Sequence, residues 1–163
     1  MKDFDFKNSK TAILLLSHGS RLPEGKKVIE AYTNMFKEEY PDAIVDYAFM
    51  EIRQPDIPTT INKLTQENDL EKIIVVPVFI AHGLHTKRDI PKILGIEVEE
   101  LDIEDSHHHH HDHGHDHHHH HHHHDHDHDE KAIDFDGEII LTDPLGIEES
   151  ILEIIKNRVK DNL

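Results

Sequence analysis

Residues 73–76 form an uninterrupted run of four β-branched apolar side chains, and this run constrains the fold more than any other stretch. Such a run is typical of a strand buried on both faces. It breaks at Pro77, and residues 78–80 are expected to resume the strand. A polar stretch with His82 and His85 follows. Because open α/β sheets place their chemistry outside the carboxyl ends of their strands, we expect a functional site here.

Strand and helix patterns alternate along the rest of the chain. Further strands are predicted at 11–17, 43–50, 97–103 and 138–142. Helices are predicted at 23–40, from 58 onward, at 89–95 and at 148–160. This order predicts an α/β fold: a three-layer sandwich with a mostly parallel sheet, right-handed crossovers and helices on both faces.

Three of these helices have apolar residues at helical spacing, which predicts the side that each turns toward the core. In the first helix these residues are Val28, Tyr32, Met35 and Phe36. In the second helix these residues are Ile57, Ile61 and Leu64. In the last helix they are Ile151, Ile154, Ile155 and Val159.

The composition excludes several classes of function. The chain has no cysteine, which removes disulfides, thiolate metal ligands and a cysteine nucleophile. Residues 97–136 carry 14 acidic residues and one basic residue, so most of the net charge of −17 belongs to one segment. With no basic stripe, nucleic-acid binding has no support. No apolar run is long enough to span a membrane and the amino-terminal residues lack a signal-peptide pattern, so we expect a cytoplasmic protein.

Seventeen of the 20 histidines lie between residues 107 and 128, interleaved with aspartates. A tract this polar cannot bury enough apolar surface to offset the entropy of ordering it. We therefore expect one domain over residues 1–163 with a disordered insert at about 105–132. The tract is internal and interleaved with acids, which argues against an expression tag. It is either a reservoir that captures metal ions or a spacer without a catalytic part.

Three polar side chains follow predicted strands and are candidates for one site. His18 follows the first strand, Glu51 the second and His85 the third. Neutral imidazoles bind divalent cobalt, nickel or zinc, and a carboxylate can accept a proton. Each residue also has a simpler interpretation: His18 could cap a carbonyl, His85 could cap a helix, and Glu51 could be a solvated charge.

Four stretches in this order resemble the class II chelatases: LLLSHGSR at 14–21, FMEIRQPDIP at 49–58, VVPVFIAHGLHTKRDIP at 75–91 and TDPLG at 142–146. The resemblance is closest to the short sirohydrochlorin chelatases of the CbiX type. It covers nearly all of the chain except the histidine tract. It implies a chelatase-like, flavodoxin-like half that pairs with a second copy as a homodimer, because longer relatives contain two such halves.

The resemblance also implies roles for individual residues. His18 and His85 match the family's metal-site histidines, and Glu51 would assist deprotonation during insertion of Co²⁺ or Ni²⁺ into sirohydrochlorin. This chemistry belongs to the synthesis of cobalamin or coenzyme F430. It needs no ATP and no organic cofactor, the metal being a substrate. The remaining candidates for substrate binding are Ser17, Gly19, Ser20, Arg21, Arg53, Gly83, Leu84, Lys87 and Arg88. Their cations would pair with the carboxylates on the rim of the ring.

Two rival functions remain open. In one, the chain stores or delivers nickel or cobalt through the histidine tract, and the domain is a carrier. In the other, Ser17 or Ser20 acts with His18 in a hydrolase. The hydrolase is the poorer hypothesis, because adjacent residues seldom aim their side chains at each other and no third, orienting acid is evident.

Overall fold

The computed structural model describes residues 5–97 and 133–163. In chain order the elements are β1 (Thr11–Ser17), α1 (Pro23–Glu39), β2 (Ile44–Phe49), α2 (Ile57–Glu67), β3 (Lys72–Pro77), α3 (Leu84–Leu94), β4 (Glu138–Leu141) and α4 (Glu149–Lys160). Within these residues, no helix is both long and apolar enough to cross a membrane. The strand predicted at 97–103 and the insert predicted at 105–132 lie almost entirely outside the described residues.

The described strands form one parallel sheet in the order β2-β1-β3-β4, which confirms the predicted α/β architecture. β1 is central, and its residues 12–16 are all buried, as expected for a strand covered on both faces. Because all four strands run in the same direction, their carboxyl ends lie at one edge. The loops that follow β1, β2 and β3 therefore lie at that edge, and the first two of these loops carry His18 and Glu51.

Helices cover the sheet on both faces. On one face α1 packs through Ile29 against Ile13 and Leu15 of β1. On the other face α2 and α3 pack against alternate strand residues, with Leu14 and Ile61 completely buried. Asp56 caps α2 by accepting a hydrogen bond from the Thr59 N–H at 2.9 Å, so this helix begins immediately after the loop of β2.

The predicted buried side of α1 is largely wrong. Val28, Tyr32 and Met35 are 49–59% exposed, whereas Ile29 and Thr33 are buried. Phe36, also predicted to be inward, is partly buried. The helix is rotated by about one residue, or roughly 100°, from the predicted orientation.

The predicted burial of α4 is also wrong. No residue of α4 is buried, and Ile154, Ile155 and Val159 are about half exposed. Ile151 is partly exposed as well. The helix itself lies where the sequence predicts it, so the periodicity identified the element but not its packing.

Two boundaries around the central strand differ from the prediction. β3 ends at Pro77, and residues 78–80 bend away instead of continuing as a strand. α3 begins at Leu84, five residues before the predicted start, and contains Pro91 in its interior. Burial explains the longer helix: Thr86, Ile90 and Leu94 share one side and are at most 5% exposed, which outweighs the hydrogen bond lost at proline.

Candidate active site

The loops after β1 and β2 are joined by backbone hydrogen bonds beyond the ends of the strands. The Met50 N–H donates to Ser17 O at 2.9 Å, and the Glu51 N–H donates to His18 O at 3.3 Å. These bonds extend the parallel ladder by two residues. His18 and Glu51, which are 33 positions apart in the chain, are thereby placed side by side.

Gly19 lies directly against the backbone of Glu51. A Cβ atom built on Gly19 would be 1.9 Å from Glu51 O, and the φ angle of Gly19 is +100°. Both facts require glycine at this position. The sequence analysis assigned Gly19 to substrate binding, which stays a prediction; the structure gives it a separate role in packing the two loops together.

The side chains of His18 and Glu51 also approach each other. His18 Nδ1 lies 3.7 Å from Glu51 Oε1, and both side chains are about half exposed. The distance allows an ion pair when the imidazole is protonated. A carboxylate next to one ring nitrogen also orients the ring and leaves Nε2 for another partner.

Arg53 ties the loop after β2 to the loop after β1. Its Nε donates to Ser20 O, and its Nη2 donates to Arg21 O at 2.8 Å. The backbone turns sharply just before it, at Ile52, whose φ is +71°. Two donor nitrogens of Arg53 therefore hold the loop after β1 in place. This role of Arg53 was not predicted from the sequence.

His82 is held by a buried threonine on the other side of the edge. The Thr86 hydroxyl donates its hydrogen to Gly83 O at 3.0 Å and lies 3.1 Å from His82 Nδ1. Because a hydroxyl has one hydrogen, His82 Nδ1 is the donor in the second bond. The neutral ring then has an unprotonated Nε2, which can bind an ion or accept a proton.

The surroundings favour this neutral form of His82. Burial lowers the pKa of the imidazole below its usual 6.5, and the charge of Lys87 lowers it further. Asp143, in the loop after β4, opposes the shift. His82 is thus an electron-pair donor at neutral pH, although no motif in the sequence singled it out.

Phe79 lies between the two histidines. Its ring centroid is 6.3 Å from that of His18 and 5.7 Å from that of His82, edge to face in both cases. Its carbonyl accepts a hydrogen bond from the Leu145 N–H at 2.9 Å, so the loop after β4 reaches the same edge. Phe79 and Thr86 are positioning residues that were not predicted from the sequence, although Phe79 lies within the apolar segment 78–80 that was predicted to resume the strand.

His85 is the second residue of α3, in a helical turn and not in the predicted loop. The start of α3, which carries His85, therefore lies at the same edge as His18. That the imidazoles of His18 and His85 converge stays a prediction. Other predicted residues are exposed: Arg21 lies in the loop after β1, and Lys87 and Arg88 lie near the start of α3. Gly83 is the N-cap of α3 and Leu84 is 66% exposed. The Ser20 hydroxyl accepts the Leu22 N–H at 3.1 Å, a local turn.

The side chains of His18 and Glu51 at this edge are about half exposed. Two hollows in the described residues lie at the opposite edge, near the amino ends of the strands, and are lined by residues such as Phe6 and Asp42. Among residues 5–97 and 133–163, no group of three or more His, Asp or Glu side chains is close enough to hold a metal ion. In one described protomer, His18 and Glu51 thus lie at the surface.

The model of the CbiX family matches residues 12–162. The chain belongs to the CbiX family. Two CbiX relatives are named sirohydrochlorin cobaltochelatase: that of Methanothermobacter thermautotrophicus is 48% identical over 93% of this chain and 92% of the relative, and that of Methanococcus aeolicus is 49% identical over 93% and 99%. The family resemblance inferred from four sequence motifs is therefore confirmed.

A solved structure shares the CbiX fold. The sirohydrochlorin chelatase SirB from Bacillus subtilis subspecies spizizenii, in complex with cobalt, matches with a TM-score of 0.61 and 21% identity. The match covers 93% of this chain and 50% of SirB. The archaeal relatives thus have about the length of this chain, whereas SirB has about twice that length.

Proposed function

We propose that the chain is a sirohydrochlorin cobaltochelatase, an enzyme that inserts Co²⁺ into the free tetrapyrrole. The observation that carries this proposal is the near 50% identity to two cobaltochelatases over almost the whole of both chains. The closeness of His18 to Glu51 at the carboxyl edge supports it independently. The names of these relatives give no support to storage or delivery of metal, and they name cobalt, so nickel and coenzyme F430 stay predictions.

The reaction exchanges two protons for one ion: Co²⁺ enters the ring, and the two pyrrole N–H groups each release a proton. The barrier includes partial dehydration of the ion, distortion of the flat ring and removal of these protons. We propose that His18 binds the ion through Nε2, because Nδ1 faces Glu51, and that His85 is the second ligand. Positioning of the ion over the ring is then the main contribution of the protein.

Glu51 has two roles in this proposal. While the site is occupied, its carboxylate orients His18 through Nδ1. As the pyrrole protons leave, the same carboxylate, 3.7 Å from the ring of the proposed ligand, accepts them in turn. Half exposure of the side chain lets the proton pass on to water.

The carboxylates on the rim of the ring need cations, and the edge provides them. Arg21, Lys87 and Arg88 are exposed there, so their charges are available to an anionic substrate. Arg53 uses two donor nitrogens on backbone carbonyls, so its contribution is to hold the loop that presents Arg21. Ser17, Gly19, Ser20, Gly83 and Leu84 complete the proposed substrate surface.

The proposal includes pairing of two copies. A surface open on one side leaves a flat ring in contact with water, whereas a second copy facing it would enclose the ring. The double length of SirB, whose fold this chain matches over half of that protein, supports the same arrangement.

The test is an absorbance assay of the purified protein with sirohydrochlorin and Co²⁺, Ni²⁺ or Fe²⁺ in turn. We expect the spectrum of the macrocycle to change faster than without protein, and fastest with cobalt. His18→Ala and His85→Ala should each lose most of this acceleration. His107→Ala, which also removes one imidazole, should keep it. No acceleration by the wild-type protein with any ion would contradict the proposal.

A further inference from the structure

α4 carries an apolar row that its own protomer does not bury. Leu152, Ile154, Ile155 and Val159 are 49–56% exposed, and no residue of the helix is buried. A surface helix normally turns such a row toward a core. Removal of this apolar surface from water is favourable, so the exposed row favours packing against another apolar surface.

The sheet has a partly exposed apolar strip on which such a helix could lie. Ile13 of β1 pairs with Ile74 of β3, and Ile74 pairs with Ile140 of β4, so the three side chains share the α1 face. α1 covers Ile13 there. Ile74 and Ile140 remain partly exposed and belong to neither core cluster of the described residues.

α1 forms an apolar wall beside this strip. Its Glu30 accepts a hydrogen bond from the Tyr47 hydroxyl at 2.9 Å, which fixes the flank of α1 that faces β2. The exposed row of Val28, Tyr32 and Met35 lies on the opposite flank, toward β3 and β4. The strip and this wall together form a slot, which we call the β3–β4 slot.

The dimensions of the β3–β4 slot suit α4. β3 has 6 residues, which span about 20 Å, and α4 has 12, which span about 18 Å. Both surfaces are apolar. Of the described helices, α4 is the one that has no buried residue and therefore still needs such a surface.

The connection to α4 starts at the carboxyl edge of the sheet. The N–H groups of Leu145 and Gly146 donate to Phe79 O and Ile80 O, which anchors the loop at the carboxyl edge of β3. Gly146 has a φ of +64°, and Ile147 after it is fully exposed. α4 therefore begins at the candidate active site, and none of its residues is buried against its own protomer.

We propose that two copies of the chain exchange α4, so that the helix of each copy fills the β3–β4 slot of the other. An exchange of identical elements gives a closed two-fold dimer. The chain spans half of SirB, so a chain of SirB's length could hold both partners at once. The inference rests on the pairing of two copies proposed above and on no part of the metal chemistry. Because the hinge lies at the candidate site, exchange would bring the two carboxyl edges together.

A cross-linking experiment tests the exchange, since the chain has no native cysteine. One chain carries Tyr32→Cys on the wall of the slot, and a differently tagged chain carries Ile155→Cys on α4. The two are coexpressed, purified through both tags and treated with a short bismaleimide. We expect a product of twice 19.0 kDa that contains both tags.

The control replaces Tyr32→Cys by Asn34→Cys, which is also exposed on α1 but lies on the flank toward β2. This pair should give much less product. Equal products from both pairs would overturn the proposal, as would an absence of product from the first pair. Placing Tyr32→Cys and Ile155→Cys in one chain separates the alternatives: a linked product with the mass of one chain, 19.0 kDa, in a denaturing gel would mean that α4 fills its own slot.

Ile155→Asp provides a second measurement. Because α4 is not buried in its own protomer, the variant should fold with an unchanged circular dichroism spectrum and become a monomer in light scattering. Asn157→Asp, a change to the same residue type on the same helix, should stay dimeric. A wild-type protein that is monomeric would overturn the exchange. A dimer without chelatase activity would instead contradict the proposed function and leave the exchange in place.

Discussion

The Cα atom of Gly19 packs against the carbonyl of Glu51, with so little space that a Cβ atom on Gly19 would lie 1.9 Å from that oxygen. This contact joins the loop that carries His18 to the loop that carries Glu51. The distance between His18, the proposed metal ligand, and Glu51, the proposed base, therefore depends on a glycine that neither binds the ion nor accepts a proton.

Gly19→Ala should destabilise the protein and separate the two loops. A left-handed conformation of a residue other than glycine costs on the order of 1–3 kcal/mol, and the collision with Glu51 O adds to this. Chemical denaturation measures the effect. Gly25→Ala in α1 is the matched control, because its Cβ would meet only one atom, at 3.9 Å, and alanine favours a helix by about 0.5–1 kcal/mol. Equal stability of the two variants would contradict this account of Gly19.

Glu51→Gln should slow metal insertion while leaving the fold intact. The amide has the shape of the carboxylate and can still contact His18, but it cannot accept a pyrrole proton. A general base typically contributes about 10²–10⁴-fold, so we expect a fall in kcat within this range. Single-turnover absorbance with saturating Co²⁺ measures it.

Glu138→Gln is the control for this substitution. Glu138 lies at the amino edge of the sheet, near Lys72, and its replacement should leave kcat unchanged. If Glu51→Gln raised only the concentration of cobalt needed for half-maximal rate, Glu51 would orient His18 and would not accept the proton.

The stability provided by His82 should depend on pH. Its pKa is lowered in the folded protein, so the unfolded chain binds the proton more readily as the pH falls below about 6.5. The wild-type protein should therefore lose stability relative to His82→Gln between about pH 7.5 and 5. Chemical denaturation of both proteins across this pH range gives the difference between their free energies of unfolding. The contributions of the other histidines are the same in both proteins and cancel in this difference. If this difference did not change with pH, or if the wild type gained stability relative to His82→Gln as the pH fell, the folded protein would not favour the neutral ring.

Thr86 offers a check on the cause. Thr86→Val removes the hydroxyl that accepts the Nδ1 hydrogen of His82 and should cost about 0.5–1.5 kcal/mol. Thr86→Ser keeps the hydroxyl and should therefore keep the contribution of this hydrogen bond. It should lose only the contribution of one methyl group.

Deletion of the histidine tract, residues 107–128, should leave turnover nearly unchanged when cobalt is saturating. The 17 imidazoles and the aspartates between them should bind several ions, so the number of bound cobalt ions per chain should fall sharply. A Gly-Ser segment of equal length is the control for chain length. Loss of all activity in both variants at saturating cobalt would refute a reservoir role.

One part of the candidate site could be predicted from the sequence and another part could not. The alternation of apolar strands with helical segments predicted a parallel sheet, and a parallel sheet brings the residues after its strands to one edge. For this reason His18 and Glu51 could be predicted as neighbours. The bond between His82 and Thr86 could not, because it depends on α3 beginning at Leu84, and the sequence placed that beginning at residue 89. Burial of one side of the helix outweighed the signal from Pro91.

By itself the sequence determined the number and order of the described elements, the direction of the strands and the family, because these follow from local periodicity and from motifs. The sequence also predicted the buried side of α2, where Ile57, Ile61 and Leu64 are all buried, but tertiary structure decided which sides of α1 and α4 are buried. Apolar spacing marks a stripe that is broader than the surface a helix buries, so the rotation of α1 depends on contacts such as the one between Tyr47 and Glu30. α4 shows the same limit: its periodicity predicts a helix with an apolar side but cannot say which surface covers it.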